Sequence, residues 1–208
     1  MNQGTPEWKQ ARCGKVTGSR IADVIAKVKS GYSASRDNYM AQLVCERLTG
    51  QVAESFTNSA MQWGTEQEEF ARAAYEAHTN ELVEQVGFIE HPLIHNTGAS
   101  PDGLVGLFGL VEIKSPQTNT HLETLLSKSV PTKYYPQMQW QMRVCDRQWC
   151  DFVSFDPRLP EKLQLFVKRV DFDAEYVAML EKEVTQFLIE LDEKVNLLKG
   201  MMNVQSNV

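Results

Sequence analysis

The sequence lacks any apolar run approaching the roughly 18–20 residues that a bilayer span requires, and its opening, MNQGTPEWKQAR, lacks the apolar core of a secretory signal. Both absences predict a chain that works in the cytoplasm without a membrane partner. Cysteine is sparse: Cys13, Cys45, Cys145 and Cys150 include a C-x4-C pair but no C-x2-C pair. Neither a disulfide framework nor a zinc or iron–sulfur cage is expected from that spacing. His91 and His95 stand at finger-like H-x3-H spacing, with no cysteine beside them. Internal repeats, low-complexity tracts and linker-like stretches are also missing. Positive charge is in deficit, with 21 Lys and Arg against 27 Asp and Glu, which by itself argues against a phosphate-rich partner.

What the chain does contain is the composition of a folded protein, 42% hydrophobic and 23% charged over 208 residues. That length predicts one domain spanning residues 1–208. Its charge is unevenly spread: residues 1–50 carry eight Lys or Arg against four Asp or Glu, and residues 51–100 carry one against eight. Positive potential therefore collects at the start of the chain, although local sampling of solvated helix faces gives the same count.

Hydrophobic spacing divides the chain into three parts. Residues 1–50 are expected to be helical: Thr17 or Ser19 can cap a helix with Ile21, Val24, Ile25 and Val28 on one face, ending near Gly31. A second helix is predicted from Ser35 or Arg36 to Leu48, with Tyr39, Leu43 and Val44 inward and Gly50 as its stop. A third runs from Ser59 to His78. Residues 81–170 are sheet-rich, with strands in ELVEQVGFIEHPLI, GLVGLFGLVEIKSP, WCDFVSF and LQLFVKR. Helices are expected there around Leu122, Leu125 and Leu126, and after Pro136, carrying Gln137, Trp140 and Gln141. Residues 174–199 form a closing amphipathic helix, with Val177, Leu180, Val184, Phe187, Leu191, Val195 and Leu198 on one stripe and Gly200 ending it. The order of elements gives a mixed α/β architecture.

The chemistry collects around Ser100-Pro101-Asp102-Gly103-Leu104, with Glu112-Ile113-Lys114 following. Alternate side chains on a strand share a face, so Glu112 and Lys114 project one way while Val111 and Ile113 project the other. A turn that brings Asp102 alongside lets two carboxylates hold a hard divalent cation such as Mg2+, with the Ile113 carbonyl as a backbone ligand. Lys114 would orient or deprotonate an attacking water, its pKa lowered by the nearby dication. The same residues fit a plainer account, since Asp-Gly is an ordinary hairpin signal and Glu-x-Lys is common on exposed strand faces. Against that account, these charges lie in a glycine-rich, apolar segment, where unpaired charge is costly to bury.

Asp102-x9-Glu112-x-Lys114 resembles the PD-(D/E)xK nuclease signature, and an ordered set of further motifs resembles the lambda exonuclease and YqaJ-type viral recombinase family. These are Trp8-x3-Arg12-x-Gly14-x-Val16-Thr17-x-Ser19, Trp63-Gly64-x3-Glu68, Glu112-x-Lys114-x-Pro116, Gln137-x-Gln139 and FVSFDPR at 152–158. The resemblance implies a restriction-endonuclease-like core, a central mixed β-sheet flanked by helices. It further implies a Mg2+-dependent enzyme, with Mn2+ as a substitute, that degrades duplex DNA from a 5′ end and leaves a 3′ single strand. By position, Asp102 and Glu112 match metal ligands, Lys114 the catalytic lysine and Glu68 a helical carboxylate assisting them, with Glu66 and Glu69 near enough to exchange with it. Arg12, Thr17, Ser19, Ser100 and Gln137 match positions around the terminal 5′-phosphate or the scissile phosphate. A homotrimeric ring and a single-strand annealing recombinase as partner follow from the same resemblance, as does a phage or prophage origin. A ring would let the basic N-terminal third line a DNA channel. The chain departs from the pattern in its short stretch before Trp8 and in Trp140, where a different aromatic is common. Other expectations compatible with this core are an endonuclease or repair nuclease, and a non-catalytic DNA-end binding subunit.

Overall fold

The structure, a computed structural model, describes residues 2–29, 31–53 and 58–205. In chain order its elements are α1 (Pro6–Arg12), β1 (Val16–Thr17), α2 (Ile21–Ile25), β2 (Lys27–Val28), β3 (Gly31–Tyr32), α3 (Ala34–Thr49) and α4 (Ser59–Thr79). Four short strands follow, β4 (Val83–Glu84), β5 (Ile89–Glu90), β6 (Thr97–Ala99) and β7 (Gly103–Val105), then β8 (Gly109–Lys114). The remainder is α5 (Thr118–Ser127), α6 (Tyr135–Cys145), β9 (Trp149–Phe155), β10 (Leu165–Asp171) and α7 (Ala174–Gln205).

The central sheet has the order β10-β9-β8-β7-β4 and is mixed, with β8 and β9 parallel and the other neighbours antiparallel. This is the expected α/β class with a restriction-endonuclease-like core. The two faces of β8 divide as alternation requires. Val111 and Ile113 enter an apolar cluster with Ala71 and Tyr75 of α4, whereas Leu110 packs with Met138 and Met142 of α6 and Phe152 of β9. Glu112 and Lys114 therefore sit on the α6 side. A larger cluster joins α2, α3 and α6 to the stripe of α7 through Tyr39, Leu43, Trp140, Leu180, Phe187 and Leu191.

Second-sheet topology brings distant segments together. β1 lies parallel to β6, with Val16 opposite Thr97 and Thr17 opposite Gly98, and β5 completes the set. The segments that follow β1 and β6 leave this small sheet at the same end, so a 3-10 turn, Gly18–Arg20, stands near Ser100.

Several helices match the expected pattern, including α3, which closes on a left-handed Gly50 (φ 68°), and α4. α6 carries Pro136 in its first turn. The first predicted helix is cut short. Thr17 and Ser19 make no side-chain capping bond, α2 ends at Ile25, and Val28 lies 55% exposed in the β2–β3 hairpin. The closing helix passes Gly200 and continues to Gln205; an exposed glycine lowers helix propensity without providing a stop. Leu122 and Leu126 of α5 face outward, because His121 and Thr124 are the residues that α5 buries. Among the described residues, no helix is long and apolar enough to cross a membrane.

Candidate active site

Asp102, just before β7, accepts a hydrogen bond at Oδ2 from the Ile113 backbone N–H at 2.6 Å. That bond joins the loop carboxylate to β8 across a separation of eleven residues. Glu112, fully buried on β8, is paired at Oε1 with the Lys114 ammonium and also accepts there from Gln137 Nε2 at 2.6 Å. Its other oxygen, Oε2, accepts from Gln141 Nε2 at 2.7 Å. Gln137 and Gln141 lie four residues apart on α6 and so reach the same carboxylate from one helix face.

Desolvation, and next the charge of Glu112, push the Asp102 carboxyl well above the ordinary carboxylate range; Lys114 opposes this and Glu68 adds to it. For Lys114, burial by itself lowers the pKa, but the charges of Glu112 and Asp102 outweigh it and hold the ammonium above its usual range. The protein groups alone therefore act against the lowered lysine expected from sequence, and they keep Lys114 a charged donor. Glu68 contributes at longer range: it is bound to Arg72 at 2.9 Å on α4, and its charge still reaches Asp102. Glu66 and Glu69 are exposed.

The donors suit a hard divalent cation. Two carboxylates share a desolvated corner in which burial and the charge of Glu112 resist the ionisation of Asp102, a cost that a cation relieves. Among the described residues no three His, Cys, Asp or Glu side chains form a cage. Asp102 and Glu112 would hold such an ion together with main-chain oxygen, as expected of Ile113, and solvent.

Beside this corner lies a cleft of about 410 Å3 lined by Trp8, Lys9, Arg12, Lys15, Thr17, Ser19, Arg20 and Glu46 among others. The Arg12 guanidinium stacks 3.9 Å from the Trp8 ring centroid, and its buried Nε finds no acceptor among the described residues. Burial lowers the Arg12 pKa, opposed by Tyr39 and Glu46, although a guanidinium stays charged. Trp8 links the two regions, since its indole N–H donates to Ser100 Oγ at 2.9 Å, two residues before Asp102. Glu46 supports the cleft by accepting from the Gly14 N–H at 2.7 Å.

Most of the residues expected from sequence thus fall into two adjoining groups, with Glu68, bound to Arg72 on α4, outside both. Arg12, Thr17 and Ser19 line the cleft, while Asp102, Glu112, Lys114 and Gln137 form the carboxylate corner and Ser100 stands between them. Thr17 is buried and donates its N–H to the Tyr39 hydroxyl, whereas Ser19 is exposed. Only part of the N-terminal positive charge faces the cleft. Lys27, Arg36 and Arg47 are committed to Glu183, Glu190 and Asp192 of α7. Gln139 turns away from the corner to join Asp171 and Asp173, and Trp140 is a core residue stacked on His91 at 5.0 Å. Gln141 and Trp8 are the site residues not singled out as such from sequence. The four-residue step from Gln137 to Gln141 was the available signal for the first.

The profile of the YqaJ-like viral recombinase domain matches residues 7–148. Crystal structures of LHK-Exo, an alkaline exonuclease from Laribacter hongkongensis, one of them in complex with dAMP, are similar at 50% identity with a TM-score of 0.91. They cover 97% of this chain and 100% of that one. A phage related exonuclease from Haemophilus somnus 129PT shares the fold at 16% identity and a TM-score of 0.73, covering 88% of this chain and 96% of the other. Among curated proteins, no sequence matches. Fold, site and similarity together define a deoxyribonuclease with a restriction-endonuclease-like core. The chain belongs to the YqaJ-like viral recombinase family.

Proposed function

We propose that the chain is a Mg2+-dependent 5′-to-3′ exonuclease acting on linear double-stranded DNA and leaving 3′ single-stranded overhangs for homologous recombination by strand annealing. The observation that carries this reading is the adjacency of the Asp102, Glu112 and Lys114 corner to the Arg12 cleft, joined by the Trp8–Ser100 hydrogen bond. Phosphodiester hydrolysis needs positive charge at the reacting phosphate and an activated water. Mg2+, or Mn2+ in its place, would supply both when held by Asp102 and Glu112. Lys114 orients the nucleophile and stabilises developing negative charge, and Glu68 shapes the field around Asp102. Arg12, Thr17, Ser19, Ser100 and Gln137 bind the terminal or scissile phosphate. An arginine fork and hydroxyl donors near a turn suit a phosphate with free oxygens, which is what a 5′ end presents. The similarity to an alkaline exonuclease at 50% identity supports the same reading. A homotrimer encircling DNA, a single-strand annealing recombinase as partner, and a phage or prophage origin with action in the bacterial cytoplasm complete the proposal.

The test is digestion of linear duplex labelled at either end, with Mg2+ or with a chelator, beside a closed circular duplex. The 5′-ended strand is expected to shorten from its 5′ terminus while the complementary 3′-ended strand survives, the chelator stops the reaction and the circle is spared. Circle digestion at the linear rate, or loss of the 3′ end first, would refute the proposal.

A further inference from the structure

Gln141 touches both groups of the site. Its Nε2 is, among the described residues, the single donor on Glu112 Oε2, while Oε1 has both Gln137 and Lys114. The terminal torsion of a glutamate is broad, so one held oxygen leaves the carboxylate plane free to turn and two held oxygens fix it. Gln141 is 1% exposed, and among the described residues its own Oε1 has no donor.

The other side of this residue meets the phosphate turn. A Cβ placed on Gly18 would lie 3.6 Å from Gln141 Cγ, 3.6 Å from Trp140 Cδ1 and 3.3 Å from Ala99 Cβ. Those two distances to α6 are ordinary van der Waals contact, so the turn between Thr17 and Ser19 lies about one methyl group from α6, and its tighter neighbour is Ala99 of β6. Gln141 therefore lies between the Glu112 carboxylate and the turn that carries Thr17 and Ser19.

We propose that Gln141 is a positioning residue, which fixes the carboxylate plane of Glu112 through Oε2. The inference rests on the metal-dependent reading above. It assigns Gln141 an effect on cation affinity and turnover, exerted through Glu112, with no contact to DNA.

Calorimetric titration of the DNA-free protein with Mn2+ tests it, comparing the unmutated chain, Gln141→Met, Gln141→Asn and Glu112→Ala. Gln141→Met keeps length and removes the donor; Gln141→Asn keeps an amide that is one methylene too short. Loss of a partner that orients a metal ligand typically weakens affinity by about 10–100-fold. That loss is expected in both Gln141 variants, with kcat reduced, KM for DNA ends unchanged and the rate partly restored by raised Mg2+. Should Gln141→Met fail to fold, Gln141→Asn supplies the same comparison. Unaltered Mn2+ affinity in a folded Gln141 variant, with or without a lower Tm, overturns the inference alone, because a packing role predicts that result. Absence of Mn2+ binding by the unmutated protein overturns the metal reading, and this inference with it.

Discussion

Replacing Arg12 with alanine is expected to abolish discrimination between duplex ends bearing a 5′-phosphate and ends bearing a 5′-hydroxyl. Arg12 lies over the Trp8 ring at 3.9 Å, in the cleft shared with Lys9, Lys15 and Arg20, and its buried Nε has no acceptor among the described residues. A fork held in this way is ready for an incoming anion without first breaking an ion pair. A hydrogen bond to a charged group contributes about 1.5–3 kcal/mol, and each 1.36 kcal/mol corresponds to tenfold in rate. Loss of one such bond to the end phosphate therefore reduces kcat/KM on phosphorylated ends by about 10- to 150-fold. The rate on hydroxyl ends should change little, since Lys9 keeps its charge in the same cleft, beside Lys15 and Arg20 in their pairs with Glu90 and Asp23. Arg12→Lys keeps the charge without the planar fork, so it should recover only part of the preference. The assay compares initial rates on two blunt duplexes that differ only at the 5′ terminus, at fixed salt and saturating Mg2+. Equal rates on both ends with the unmutated protein, or an undiminished preference in Arg12→Ala, would refute the phosphate cleft.

Two further perturbations probe the carboxylate corner and a buried acid just past the end of β9. Lys114→Met should retain DNA-end binding while hydrolysis falls about a thousandfold, the equivalent of roughly 4 kcal/mol of transition-state stabilisation; unchanged hydrolysis would remove Lys114 from the chemistry. Asp156 is fully buried, and although burial raises its pKa, hydrogen bonds from Arg158 and Thr118 prevail and bring it down from 3.8 to about 2. A depressed acid contributes stability above its unfolded pKa and loses it as pH falls through the folded value, so Asp156→Asn should cost about 2 kcal/mol at pH 7. Urea unfolding should show that gap narrowing as the pH falls from about 5 towards 2; a gap independent of pH would show that the charge is not the source.

Much of the secondary structure was legible because it is local. α3, α4 and α6 follow from apolar spacing, a proline in the first turn or a glycine stop, and β9 and β10 from runs of aromatic and β-branched residues. The misreadings share a cause, since spacing cannot report what an element packs against. Ile21, Val24, Ile25 and Val28 look like one helical face, yet the chain turns after Ile25 to form the β2–β3 hairpin. The leucines around 122–126 mark α5 as a helix without showing which face it buries: the sheet recruits His121, which contacts Ser154 at 2.7 Å, and leaves Leu126 83% exposed.

By itself the sequence determined which face of β8 Glu112 and Lys114 occupy and which side chains are the candidates for the chemistry, because strand alternation and motif order are properties of the chain read in one dimension. The tertiary structure alone decided how those groups meet. The parallel β1–β6 pairing sets the Gly18 turn near Ser100, Trp8 bridges the cleft to the Asp102 loop, and α6 supplies both amides to Glu112. Each of these contacts joins residues far apart in the chain, whose proximity follows from packing around a shared core rather than from any local preference.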